Sequence, residues 1–577
     1  MQAAYFCVAC YKSSINNLLP EIIDEYCRKE IKIQPFLHCV RGVKFTKTQA
    51  WQGLYYFFVT MPNRSTDSLF QLIKSLEKSE KRNFKLYITR NSGEEDLKVV
   101  QLFDALDKMD IYDEELLLRK NKSLKKQQLS NAKAHLYKQI LTSLRLIKNE
   151  SNIDIQLHEQ MDHARILYNK GLYLQSLKVL DKMKELAKAN QQYTYLQQVV
   201  FLEKKIEALH ITRSMQDRAE RLAQEADEVN DRLLQISKLS NLSLLLYSWY
   251  IKNGHARNKN DEMAIQKFFD DHFPTEARSE HGFYEKLYKY QSYTWYGFIL
   301  QDFLMYYRYT QKWVDLFDEY PFMLEIETSH YIKGMHNLLG AHFDLQNYDK
   351  FNEALARFET FAQSDMVEHS ENNKIQCFIY ISTALINKHF IEGTFTEGLA
   401  IVPNIMEKLG EYEIYLDRHR VLVFYYKIAC LYFGSGNNEQ AIVYLNKIIN
   451  WKVDLRTDLQ CYARLLHLIA HYELGNYDLL EYLTKSVYRF MARMENLSAV
   501  EEEMFKFLRQ AFSLTPKQLQ PAFEALLGRV KKYERDRFAT RAFSYLDIIS
   551  WLESKIQKVA VQDIIRAKYL ARTQKTR

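Results

Sequence analysis

The chain has 577 residues but only 16 Gly and 8 Pro, where average usage gives roughly 40 and 29. That scarcity excludes β-rich folds, which need turn residues about every 8–12 positions. The net charge of +7 is too dilute to mark a nucleic-acid binder by itself. The chain contains neither GxGxxG nor GxxxxGK[ST], the phosphate-cradling loops of dinucleotide and P-loop enzymes. No apolar run approaches the ~20 residues of a membrane helix; Leu244 to Ile251, interrupted by Ser248, is among the longest. Seven cysteines without regular spacing read as reduced thiols of a cytoplasmic protein. The expected class is an all-α chain.

In chain order, residues 1–60 stand apart. They hold Cys7, Cys10, Cys27 and Cys39 and lack sustained helical periodicity. Met61-Pro62-Asn63-Arg64-Ser65 then leads into an amphipathic segment. Met61 therefore reads as the native start, with residues 1–60 an over-extended boundary; an irregular N-terminal cap is the alternative. Cys7 and Cys10 have metal-knuckle spacing, but Cys27 stands alone and His38-Cys39 are adjacent. Tetrahedral zinc wants a second close pair, so no metal is expected.

Residues 61–150 read as a small helical domain. Leu69, Leu72, Ile73 and Leu76 keep helical spacing, Asn91-Ser92-Gly93 breaks it, and Leu97, Val100, Leu102, Phe103 and Leu106 resume it. Ser130 and Asn131 read as caps for a helix through Leu136, Ile140 and Leu144. From Leu116 to Lys148 there is no acidic residue, while Arg119, Lys120, Lys122, Lys125, Lys126, Lys133, Lys138, Arg145 and Lys148 are basic. This stretch is either a solvated face or a patch for phosphates or an acidic partner.

Residues 151–577 carry repeats. Ala164, Leu167, Gly171, Ser176, Leu180 and Met183 have the same separations as Ala429, Tyr432, Gly436, Ala441, Leu445 and Ile448. The physical content is a helical hairpin. A small residue admits a close neighbour, a glycine ends the first helix in the left-handed region, and a second small residue lets the return helix cross. Weaker copies run through Gly340, Asn347 and Ala354, through Gly393 and Gly398, and through Gly475. Across residues 426–450 the pattern resembles the tetratricopeptide repeat (TPR). Ile386 with His389, and Leu468 with His471, depart from it. Intervals of 46, 43 and 39 residues between Asn347, Gly393, Gly436 and Gly475 exceed the repeat's usual ~34. The likeness covers roughly residues 155–500 and implies a right-handed α-solenoid of antiparallel helix pairs with a concave binding face. Residues 69–90 and 102–115 also resemble the opening of a group of uncharacterised bacterial TPR-like proteins.

Between the first repeat and the rest, Tyr195, Val199, Leu202, Ile206 and Leu209, then Met215, Ala219, Leu222, Ala226, Val229, Leu233 and Ile236, recur in steps of 4 and 3. Such a heptad seam predicts a pair of long antiparallel helices at about residues 190–252, or a short coiled coil.

No catalytic arrangement stands out. His467 and His471 lie one helical turn apart, but Leu468 occupies the glutamate position of a metalloprotease motif. Gly434-Ser435-Gly436 is followed by no lysine or threonine to hold phosphate. The reading is a scaffold or adaptor without a cofactor that binds a peptide or partner protein, with Tyr425, Tyr426, Tyr432 and Phe433 as groove anchors or inter-repeat packing. The alternative is a transcription-linked regulator whose basic N-terminal domain contacts DNA. Neither oligomeric state nor membrane attachment is indicated.

Overall fold

The computed structural model describes residues 67–90, 94–120, 126–147, 152–210, 217–274, 282–413, 415–451, 457–494, 499–511, 514–534, 536, 538 and 547–576. The Met61 start, the cysteines at 7, 10, 27 and 39, and Lys122, Lys125 and Lys148 fall outside them. Among the described residues there are helices and no strands. They divide after Leu141 into two compact units.

The first unit contains α1 (Ser68–Ser75), α2 (Lys78–Arg90), α3 (Glu94–Asp107), α4 (Glu114–Lys120) and the start of α5 (Lys126–Ile147). Asp67 caps α1 by accepting from the Phe70 N–H at 3.1 Å. Leu69, Ile73, Phe84, Phe103 and Leu106 form its apolar interior, with the Phe84 and Phe103 ring centres 4.8 Å apart.

The second unit is a helical-repeat solenoid in which each helix packs on its neighbours in sequence. It opens with α6 (Ile153–Asn169), α7 (Tyr173–Ala189), α8 (Tyr193–His210), α9 (Arg218–Asn253) and α10 (Lys259–His272). Hairpins follow: α11 (Phe283–Leu300) with α12 (Phe303–Glu319), and α13 (Thr328–Asp344) with α14 (Tyr348–Phe361). Next comes α15 (Glu371–Glu392), whose return helix is interrupted. A single turn at Phe395–Gly398 and a 3₁₀ turn at Leu399–Ile401 precede α16 (Val402–Glu411). Pro403 lies in the first turn of α16, where its missing N–H leaves no intrahelical bond unmade. Then come α17 (Arg418–Gly434) with α18 (Asn438–Ile449), α19 (Thr457–Glu473) with α20 (Tyr477–Arg493), α21 (Ala499–Ala511), α22 (Pro516–Val530), α23 (Ile548–Gln557) and α24 (Val561–Thr576).

The repeat-defining residues do what their spacing requires. Ala164, Ser176, Ala429 and Ala441 are fully buried, and Ala354 nearly so. The Ser176 hydroxyl donates to the Ala164 carbonyl at 2.8 Å across its hairpin. Gly171, Gly393, Gly436 and Gly475 have φ between +68° and +85°. At each, the next residue's N–H reaches back to close the helix end, as in Asn437 N–H to the Tyr432 carbonyl at 2.9 Å. The same turn is built without glycine at Gln191, Gln301, Gln346 and Lys558, with φ of 54–57°. Gly340 is not a turn residue: it lies inside α13, and a Cβ there would meet the Tyr306 hydroxyl at 3.1 Å. Gly398 sits under His389, whose Cγ a Cβ would meet at 2.9 Å.

The heptad stretch forms α8 and α9, which pack together. The seam holds through Val199, Ile206, Leu222, Ala226 and Val229 and then ends. Leu233 and Ile236 are only half-buried, while Leu239, Leu242 and Leu246 are buried. An uncoiled helix drifts ~20° per heptad, so the buried stripe rotates away from α8 and onto α11, against which α9 also packs.

Candidate binding groove

The first helices of successive hairpins, α13, α15 and α17, stack side by side, with α11 beyond and α19 at the other end. Their facing residues line a cavity of about 340 Å³. On α13 the lining residues Lys333, His336, Asn337 and Gly340 recur at helical spacing, as do Tyr380, Thr383 and Asn387 on α15 and Arg420, Phe424 and Lys427 on α17. One face of each helix therefore serves the groove while its other faces serve the core. Tyr250, from α9, with Trp295 and Phe298, from α11, closes one side with aromatic surface.

Cations and rings alternate in this groove. Lys333 Nζ lies 5.2 Å from the centre of the Tyr380 ring and 5.9 Å from that of Trp295. The Arg420 guanidinium sits 6.0 Å from Tyr380 and pairs with Asp417 at 3.1 Å. His336 stacks on Tyr380 with ring centres 4.1 Å apart. Burial, followed by the charges of Lys333, Lys427 and Arg420, holds that imidazole neutral, well below its usual range. Lys427 Nζ donates to Asn387 Oδ1 at 2.6 Å, and burial pulls its pKa down to about 8. Among the described residues neither Lys333 nor Lys427 is in an ion pair. Asn337 is 6% exposed. Its Oδ1 accepts from the Tyr306 hydroxyl at 3.4 Å, while its Nδ2 has no partner among the described residues.

A second cavity of about 340 Å³ shares Phe303, Phe343, Asp344 and Phe390 with the first. Its far wall is α24, which returns across the solenoid. Arg566 Nη1 donates to the Glu392 carbonyl at 3.1 Å, Gln562 Oε1 accepts from the Thr396 hydroxyl at 2.8 Å, and Arg572 reaches Tyr348 at 3.1 Å.

Three of the described residues of the basic segment have separate acidic partners. Lys133 Nζ pairs with Asp67 at 2.7 Å and also bonds the Tyr112 hydroxyl. Arg119 lies 3.7 Å from Glu115, and Arg145 pairs with Asp162 at 3.2 Å. Lys126 and Lys138 are exposed on α5, and Lys120 ends α4. Of the four aromatic residues read as groove anchors or inter-repeat packing, Tyr426 and Phe433 reach the cavities. Tyr425 and Tyr432 instead pack on Tyr444, at 6.0 and 5.6 Å.

His467 and His471 are buried against each other, Nε2 to Nε2 at 3.2 Å, and Asn476 Nδ2 lies 3.0 Å from His471 Nδ1. Among the described residues no group of three potential metal ligands exists, and no helix is long and apolar enough to cross a membrane. Gly434-Ser435-Gly436 is the hairpin turn itself, with Gly434 beneath Phe395.

The groove's cations were missed in the sequence. The available signal was polar residues at helical spacing within otherwise apolar helices, at Lys333, His336, Asn337 and Gly340 and again at Arg420 and Lys427. No protein-family model matches the chain, and no curated protein matches it.

Proposed function

We propose that this chain is a TPR-like scaffold or adaptor, acting without catalysis inside the cell, whose groove holds a peptide segment of a partner protein. One observation carries the reading: the first helices of consecutive hairpins line one groove with aromatic walls, in which Lys333 and Lys427 are in no ion pair among the described residues. Aromatic surface supplies contact area at low entropic cost, and a few placed polar groups fix orientation. Stacked helical repeats generate extended surfaces of this kind. The DNA-contacting alternative has weaker support, because Lys133, Arg119 and Arg145 already face carboxylates.

The test is co-purification from the host with the full chain and with a Trp295→Ala, Lys333→Ala variant. A partner held by the wild type and lost by the variant is the expected result. A partner held equally by both would move the binding face elsewhere. Nucleic acid released by salt, and lost on replacing Lys126 and Lys138 with Gln, would favour the regulator.

A further inference from the structure

We infer that Lys427 is a carbonyl-capturing amine, which condenses with an aromatic aldehyde in the groove and holds it as an imine. This goes beyond the peptide reading and does not rest on it.

Lysine is rarely taken out of water without an acidic partner. Lys427 lines the cavity half-buried, with its Nζ bonded to the neutral Asn387 amide oxygen at 2.6 Å and 5.5 Å from the centre of the Phe390 ring. The bond to Asn387 engages one N–H and leaves the lone pair of the deprotonated amine open to a carbon. Burial lowers the pKa to about 8, against the opposing pull of Cys430 and Asp344. A substantial share of the amine is therefore neutral, and nucleophilic, close to neutral pH. Desolvated lysines of this kind are the imine-forming nucleophiles of proteins.

The same cavity wall holds an unmade hydrogen bond. Asn337 is 6% exposed, and its Nδ2 has no partner among the described residues. A buried N–H without an acceptor is costly, and a carbonyl oxygen in the cavity would remove that cost. As the amine adds, this oxygen gains negative charge, so a donor placed for it gains strength during the step.

The walls select what the carbonyl is attached to. Tyr250, Trp295 and Phe298 form a trio with ring centres 5.2–5.9 Å apart, a surface on which a flat ring packs well. At about 340 Å³, the cavity is at the small end of ligand sites and suits a molecule of one or two rings.

The condensation balances without a co-reactant. The Nζ lone pair forms the C–N bond while the carbonyl π pair moves onto oxygen, and one proton passes from nitrogen to that oxygen. The C–O bond of this carbinolamine then breaks, hydroxide leaves with the second N–H proton as water, and C=N remains. Asp344 lines the same cavity, and its charge acts on Lys427, which gives these protons a carboxylate to carry them.

The experiment treats full-length protein with limiting benzaldehyde and cyanoborohydride, which fixes an imine as a secondary amine, and follows each lysine over time by peptide mass spectrometry. At about pH 7.5, Lys427 is expected to be labelled about 10- to 100-fold faster than the exposed Lys126 and Lys138. Native mass spectrometry without reductant should show one added aldehyde less one water, and Lys427→Met should abolish it. Asn337→Leu, checked for folding by circular dichroism, should slow labelling at Lys427 and leave Lys126 and Lys138 unchanged.

Labelling of Lys427 no faster than of Lys126 and Lys138 overturns the inference, as does a preference for Lys427 that survives unfolding in guanidinium. An Asn337→Leu protein labelled at the wild-type rate removes Asn337 from the site. Acetaldehyde preferring Lys427 as strongly as benzaldehyde does overturns the aromatic class. None of these outcomes touches the peptide reading, whose test is capture of a partner protein.

Discussion

The ring of Phe395 lies against the backbone of Gly434, so closely that a Cβ on that glycine would fall 2.1 Å from the ring's Cδ1. Phe395 opens the broken return segment after α15, and Gly434 ends α17. Gly434→Ala gains up to ~1 kcal/mol of helix propensity but forces an overpacked contact worth about 1–3 kcal/mol. The net expectation is destabilisation, measured by denaturant unfolding and partly relieved by Phe395→Leu. A Gly434→Ala protein as stable as the wild type would mean that the ring is free to move aside.

Gly393 tests the return of α24. Its φ is +68°, and a Cβ there would meet the backbone N of Arg566 at 2.4 Å. An alanine carries ~1–2 kcal/mol of left-handed strain and pushes α24 off its seat. Gly393→Ala should accelerate amide exchange across α24 while α17 to α19 stay protected. Uniform exchange changes along the whole solenoid would contradict a local seat.

Glu203 has no exposed surface, and it pairs with Lys184 and with Arg218 at 3.2 Å. Lys184 also holds Glu225 at 2.7 Å, so α7, α8 and α9 share one ion network. Removing one member of a buried pair strands the other, at ~3–5 kcal/mol. Glu203→Ala should cost that much in chemical denaturation, and Glu203→Gln less. Burial raises the Glu225 pKa, but its bonds to Lys184 and Lys188 outweigh it and leave the carboxyl below its usual value. Its contribution to stability is therefore complete above pH 4.5 and is lost as pH falls through the folded value.

The buried histidines act in a higher window. Burial first, then the neighbouring His471 and Arg464, hold His467 at about 4 against an ordinary 6.5, and burial lowers His471 and His330 in the same sense. The unfolded chain binds protons that the folded chain refuses, so stability is full above pH 6.5 and declines toward the folded values. His467 alone accounts for up to ~3 kcal/mol at the acid end. The thermal midpoint should fall between pH 7 and 5, before the carboxylates titrate. His467→Gln should flatten that slope; an unchanged slope would place the loss elsewhere.

The all-α class and the best hairpins were legible because glycine scarcity and 3.6-residue spacing are backbone signals. Gly171, Gly393, Gly436 and Gly475 marked their turns for the same reason. The turns at Gln191, Gln301, Gln346 and Lys558 were hidden, since glutamine and lysine carry no such mark; there the helix-closing hydrogen bonds hold the left-handed conformation. The groove was hidden for a different reason. Lys333 and Lys427 lie on different hairpins, and only the stacking of α13, α15 and α17 brings them together. The basic stretch read from the sequence is a different matter: of its described residues, Lys133 and Arg145 are engaged separately, with Asp67 and Asp162.

The contacts of α24 also bear on the order in which this molecule is completed. Stacked repeats fold through local contacts and need not wait for distant chain. Thr396 and Gln562, however, are 166 residues apart, and Gln346 and Arg572 are 226 apart. At ~5–20 residues synthesised per second, roughly 8–30 s separates the emergence of Thr396 from that of Gln562. Through that interval Phe303, Phe343 and Phe390 stand unroofed on a nascent chain, open to whatever apolar segment the cell offers first.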